Sequence, residues 1–162
     1  MNVARIILIL LAAAAFVQSL YYYPILPETL ASHFDGAGRP NGWSSKQAFM
    51  TIYLLIVGLM LAIFLFLPPA LGRLPNRLIN LPHKDHWLAS PRRAQSLAFL
   101  QTQLHWFGVV NMVLAIYTVQ LVFQGNLEAS PRLSDSFLWI MLGYLVFVAI
   151  WIARLLLRFQ KV

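Results

Sequence analysis

Apolar residues fall along the chain in four long runs rather than in the alternating pattern of a sheet. The first runs from about Ile6 to Tyr23 and the second from about Ala48 to Leu67, and neither holds a charge. The third runs from about Leu104 to Phe123. The fourth runs from about Phe137 to Leu157 and meets its first charge at Arg154. A membrane-crossing helix needs about 20 mostly apolar residues, so each run has the length of a span. Breaker residues separate them. Pro24 and Pro27 end the first and Pro68-Pro69 with Gly72 the second, because proline lacks the amide proton and clashes with the preceding turn. Gly125-Asn126 ends the third, and Ser90-Pro91 reads as a helix start ahead of it. The pattern predicts an all-α fold, a four-transmembrane-helix bundle forming a single integral membrane domain over 1–162. Its spans lie at about 6–23, 48–67, 104–123 and 137–157. A structured extracytoplasmic loop, 24–47, joins helices 1 and 2, and a cytoplasmic loop covers 68–96.

Composition agrees with that pattern. Sixty per cent of the 162 residues are hydrophobic and 10% are charged. Soluble domains average about 45–50% and about 25%. Zero cysteines exclude a disulfide scaffold, thiolate chemistry and iron–sulfur ligation. The net charge of +7 changes meaning once it is mapped. Nine of the twelve basic residues fall in the N-terminus, the 68–96 loop and the C-terminal end, with one of the five acidic residues. Excess Lys and Arg mark cytoplasmic segments, so both termini are expected in the cytoplasm of a multi-pass membrane protein. The split charge argues against nucleic acid as a partner and suits the lipid bilayer. The first run resembles a signal peptide, with a small-residue site at Val17-Gln18-Ser19. Because it continues to Pro24, an uncleaved anchor is expected.

The third run carries polar residues at helical spacing. Gln101, His105, Gly108, Asn111, Ala115 and Thr118 fall on one stripe, expected to face the bundle interior because polar groups in lipid are costly. Gln101, His105, Asn111 and Thr118 form the intramembrane polar stripe. They are read as interhelical hydrogen-bonding groups, with a proton or ligand site as the alternative. The pairs Gly58/Ala62 and Ala149/Ala153 have the spacing that lets helices approach closely, and Ala12, Ala15 and Ser19 do similar work on the first helix.

The 24–47 loop is dense in informative residues. Glu28 to His33 reads as a short amphipathic segment with Leu30 and Phe34 toward the membrane. Gly36, Gly38 and Asn41-Gly42 supply turns, and Ser44 or Ser45 can cap the second helix. Glu28, His33, Phe34, Asp35, Asn41, Trp43 and Lys46 are candidate binding residues. His33 and Asp35 are expected to share a hydrogen bond. Lys46 is expected to pair with Asp35 or meet headgroup phosphates. In the 68–96 loop His83, Asp85, His86 and Trp87 are candidates. There Trp87 and Leu88 are expected as interfacial anchors and Arg92-Arg93 as phosphate contacts. One histidine beside carboxylates in the first loop is a poor zinc set, and no HExxH or GxSxG pattern occurs. No catalytic residue, metal or cofactor is therefore assigned.

The order Leu26-Pro27, His33-Phe34-Asp35, Gly38, Asn41-Gly42-Trp43 and Ser45-Lys46 resembles the bacterial domain-of-unknown-function family numbered sixteen-forty-eight. The same domain opens SdpI-type immunity proteins, which protect a cell from a secreted membrane-active toxin and hold a repressor at the membrane. Those proteins are longer, with a further membrane region. The resemblance covers about 20–50 and implies an immunity-like role in the bacterial inner membrane. Together the sequence points to a non-enzymatic integral membrane binding or sensing protein, with the extracytoplasmic loop recognising a peptide or protein partner. The alternatives are a membrane enzyme acting on lipid or envelope precursors and a small transporter or accessory subunit.

Overall fold

A computed structural model describes residues 3–160. Five α-helices and one hairpin make the fold: α1 (Val3–Tyr22), strands β1 (Thr29–Phe34) and β2 (Pro40–Ser45), α2 (Lys46–Ala70), α3 (Lys84–Trp87), α4 (Ser90–Asn126) and α5 (Ser136–Gln160). α1, α2, α4 and α5 are long and apolar enough to cross a membrane. α4 is the axle. At 37 residues it is about 55 Å long, well beyond a hydrocarbon core of about 30 Å. α1 and α2 pack on it and on each other around Leu8, Ala15, Met50, Val57, Met112 and Phe123. α5 meets α4 through isolated side chains. Phe107 stacks on Trp151, and the Tyr144 hydroxyl donates to Asn111 Oδ1 at 2.8 Å.

The helices run past the apolar runs that announce them. α2 continues through Pro68 and Pro69 to Ala70, contrary to the expectation that the prolines stop it. Its end is instead closed by the Leu71 amide, which reaches back to Leu67 O and its neighbours. α4 begins at Ser90 with Pro91 in its first turn, as the Ser90-Pro91 signal predicts, so positions 90–96 of the expected cytoplasmic loop are helix. That extra length builds a second core at the end far from the hairpin, where Leu88, Leu97, Leu100 and Phe159 are buried together. The Trp87 indole N–H donates to Phe159 O at 2.8 Å and fastens the 71–88 segment to α5. Lys161, counted in the basic C-terminal end, lies outside the described residues.

Small residues do less than their spacing implies. Gly58 has no neighbour within 4 Å of where a Cβ would stand, and Ala62, Ala149 and Ala153 are exposed. Neither pair forms a helix interface. The close approach is at Gly108, where a Cβ would collide with the Phe64 ring base of α2. Ala15 and Ser19 of α1 are buried as the spacing predicts.

The 24–47 segment corrects the all-α expectation locally. It is an antiparallel hairpin, not an amphipathic segment, with Leu30 opposite Ser44, Ala31 opposite Trp43 and Phe34 opposite Pro40. A loop laid across apolar helix ends must satisfy its own amides and carbonyls, and cross-strand pairing does so. The 127–135 connection lies at the same end, since the Leu133 amide donates to Gly38 O at 2.9 Å.

Candidate functional site

Most of the candidate loop residues build the hairpin. Asp35 shapes its tip. Its Oδ1 accepts from the Ala37 and Arg39 amides and its Oδ2 from Arg39 Nε, each at 2.9 Å. The Arg39 amide, with the Arg39 guanidinium and the Ala37 amide, holds the Asp35 carboxyl below its ordinary value despite some desolvation. Gly38 supplies the left-handed residue of the turn, at φ 74°. Gly42 passes against His33, leaving 3.0 Å for any Cβ. Ser45 caps α2 by accepting from the Ala48 amide at 3.2 Å. Leu30 is wholly buried against the helices, and Phe34 packs with Leu121, Val122 and Leu133.

Two expected pairings are replaced. His33 and Asp35 make no hydrogen bond, because Asp35 is occupied by the turn and the His33 ring lies on the Gly42 side. Lys46 meets neither Asp35 nor open headgroup space. Its side chain is buried, donating to Glu28 Oε1 at 2.9 Å and Leu26 O at 3.2 Å with the Tyr23 ring 4.9 Å away. It therefore ties the exit of α1 to the start of α2. What remains exposed and unengaged in the loop is His33, Asn41 and Trp43.

Two of these three border a groove of about 520 Å³ between the hairpin and the helices. Ser32, His33, Trp43 and Ser44 form its lip. Phe49, Ile52, Tyr53 and Ile56 of α2 with Ala115 and Val119 of α4 form its floor. The floor is apolar and the lip polar. Ser44 Oγ is buried there without a hydrogen-bond partner.

The 68–96 candidates are spread through a tied-down segment. His83 is left-handed at φ 48° and precedes α3, which carries Asp85, His86 and Trp87. Arg92 Nε donates to His86 O, and Arg93 bonds Asn76 Oδ1, Gly72 O and Leu74 O. Both guanidiniums thus donate to the protein's own oxygens. Leu88 is buried in the second core, and Trp87 packs against it half-buried. Desolvation, with the nearby Arg92 and His83 charges, pushes the His86 imidazole below its usual value. Among the described residues no three His, Asp or Glu side chains converge to hold a metal, in this segment or beside His33.

The polar stripe divides along α4. Asn111 is committed, donating to Phe107 O at 2.8 Å while accepting from Tyr144. His105 is 5% exposed, and neither ring nitrogen has a hydrogen-bond partner. Gln101 lies near Gly72, and Thr118 is half-buried.

Further polar ties between elements fall on residues outside the candidate set. Tyr53 donates to Gln18 Oε1 at 2.6 Å, Gln18 Nε2 to Gln120 Oε1 at 2.8 Å, and Gln120 to the Tyr22 hydroxyl. This chain joins α1, α2 and α4 just beneath the hairpin. Its signal in the sequence is a lone glutamine in each of two apolar runs. Asn126 does more. Its Oδ1 accepts from the Ala31 amide at 2.7 Å, and its Nδ2 donates to Ala31 O and Val122 O, both at 2.9 Å. The side chain serves as a third strand for β1. It was legible only as a helix stop.

No curated protein and no solved structure matches this chain. The family model described as Domain of unknown function (DUF1648) matches residues 9–60, which span most of α1, the whole hairpin and the first half of α2. The hairpin, with the parts of α1 and α2 inside 9–60, is therefore the part of the chain that is similar to a DUF1648 domain, and it holds the His33-Phe34-Asp35, Asn41-Gly42-Trp43 and Ser45-Lys46 residues.

Proposed function

We propose that the protein is a non-enzymatic membrane binding or sensing protein whose recognition element is the hairpin with the groove beneath it. The single observation that carries this reading is the groove itself. It has an apolar floor between two helices long enough to cross a membrane and a polar lip that includes the exposed His33 and Trp43. Such a site suits an amphiphile, for instance a membrane-active peptide with an apolar face, because the floor takes apolar surface and the lip takes polar groups. The hairpin lies outside the cell and both termini in the cytoplasm, which puts the basic end inside. Catalysis is disfavoured by how the acids are used, since Asp35 is bound by the turn and Glu28 by Lys46. The resemblance to the opening domain of immunity proteins makes protection against such a peptide the first role to test.

Cells lacking the gene are exposed to a panel of membrane-active peptides. Heightened sensitivity to one of them is expected. The wild-type gene restores resistance, whereas Ser44→Phe, which fills the groove, and His33→Ala do not, at equal membrane abundance. Equal sensitivity of the deletion and parent strains overturns the protective role. Full rescue by Ser44→Phe overturns the groove as the site.

A further inference from the structure

A second pocket lies at the far end of the molecule, between α4 and α5, with a volume of about 510 Å³. α4 contributes Phe99, Gln103 and Trp106, and α5 contributes Trp151, Arg154 and Arg158. On α5 these positions recur every three or four residues, so they share one face. Arg154 stands about 27 Å along α5 from Ser136, close to the thickness of a hydrocarbon core. The pocket therefore opens sideways where headgroups begin. Phe147 and Ile150 carry its wall back toward the apolar interior of the membrane.

Its charges are unbalanced. The three ion pairs among the described residues, Arg39–Asp35, Lys46–Glu28 and Arg132–Asp135, all lie at the hairpin end. Arg158 is held by aromatic faces, its guanidinium 4.7 Å over the Trp87 ring and 5.7 Å over Phe99. No ion pair, hydrogen bond or ring contact engages Arg154, one turn earlier. The indole N–H of Trp151, in the same wall, is buried without an acceptor. Two guanidiniums, a glutamine and an unsatisfied indole donor, with no carboxylate among the lining residues, lack an anion. The apolar wall below them lacks a chain.

We propose that this pocket binds one anionic phospholipid, its phosphate on Arg154 and Arg158 and the upper part of an acyl chain along Phe147 and Ile150. Basic pockets between membrane helices recognise acidic headgroups through this combination of paired guanidiniums and an apolar flank. The inference needs the helices to span a membrane and is independent of the hairpin groove.

The test is native mass spectrometry of the full-length protein in detergent, titrated with phosphatidylglycerol or with phosphatidylcholine of the same acyl chains. One tightly retained phosphatidylglycerol per protein is expected, in preference to phosphatidylcholine. Arg154→Gln, which breaks no internal contact, lowers that preference about fivefold, and adding Arg158→Gln removes most of the rest. Arg73→Gln with Arg77→Gln, which lie at the same end outside the pocket, leaves it unchanged. Three results overturn the proposal: equal retention of the two lipids, an equal loss in the Arg73/Arg77 variant, or displacement of the lipid by inorganic phosphate.

Discussion

At the scale of single residues, Asn126 holds the hairpin from outside it, through both backbone groups of Ala31. It is 5% exposed and replaces a missing strand with one amide group. Truncation leaves the Ala31 amide and carbonyl unpaired on a buried side, and unsatisfied buried groups cost more than the bonds contribute when made. Asn126→Ala is expected to destabilise the protein by about 2–4 kcal/mol, read as a lower Tm in detergent. Asn126→Asp should do worse, because it sets a carboxylate oxygen against the Ala31 carbonyl. An unchanged Tm would remove the side chain from the role given to it. This residue could be read from the sequence only as the end of an apolar run. Nothing local says that an asparagine will face a strand 95 positions earlier. Gly38 and Ser45 were readable, because turn tips and helix caps are chemistry between near neighbours, whereas Asp35 was read toward His33 or Lys46 and instead closes the turn on Ala37 and Arg39.

At the scale of elements, the long helices were legible and their contacts were not. Each apolar run marks a helix, since backbone groups in lipid must be satisfied within the segment. The start of α4 was legible at Ser90-Pro91, but the loop drawn over 68–96 ran past it because the residues there are polar. The small-residue spacing pointed to Gly58 and missed the tight contact at Gly108, because spacing cannot tell which face meets a neighbour. A methyl at Gly108 would overlap the near end of the Phe64 side chain and force α2 away from α4. Gly108→Ala is expected to cost about 1–3 kcal/mol by overpacking, whereas Gly58→Ala gains up to about 1 kcal/mol of helix propensity. Chemical unfolding of the two variants side by side checks the contrast, and similar midpoints would place Phe64 elsewhere. The hairpin was half legible. Its turns were visible, but its strands were not, because Leu30 and Ala31 are buried in succession rather than in alternation.

At the scale of the whole molecule, two ends of different character are joined by one bundle. The hairpin end holds three ion pairs, and the far end holds mostly unpaired cations. The orientation proposed from that asymmetry has a direct check, because the chain contains no cysteine. Single cysteines at exposed Asn41 and Lys84 are probed with a membrane-impermeant maleimide. Asn41→Cys should label in intact cells and Lys84→Cys only after permeabilisation. The reverse pattern would invert the orientation and with it the side on which the hairpin groove operates.

The length of α4 has a mechanical consequence. One continuous helix grips the hairpin through Asn126 at one end and the buried Leu97–Phe159 core at the other. A rod of about 55 Å that pivots by only a few degrees sweeps its opposite tip through several ångströms. α4 is thus a lever with its two handles on opposite faces of the bundle. Any tilt of α4 therefore shifts the Asn126 grip on the hairpin and the Leu97–Phe159 core together.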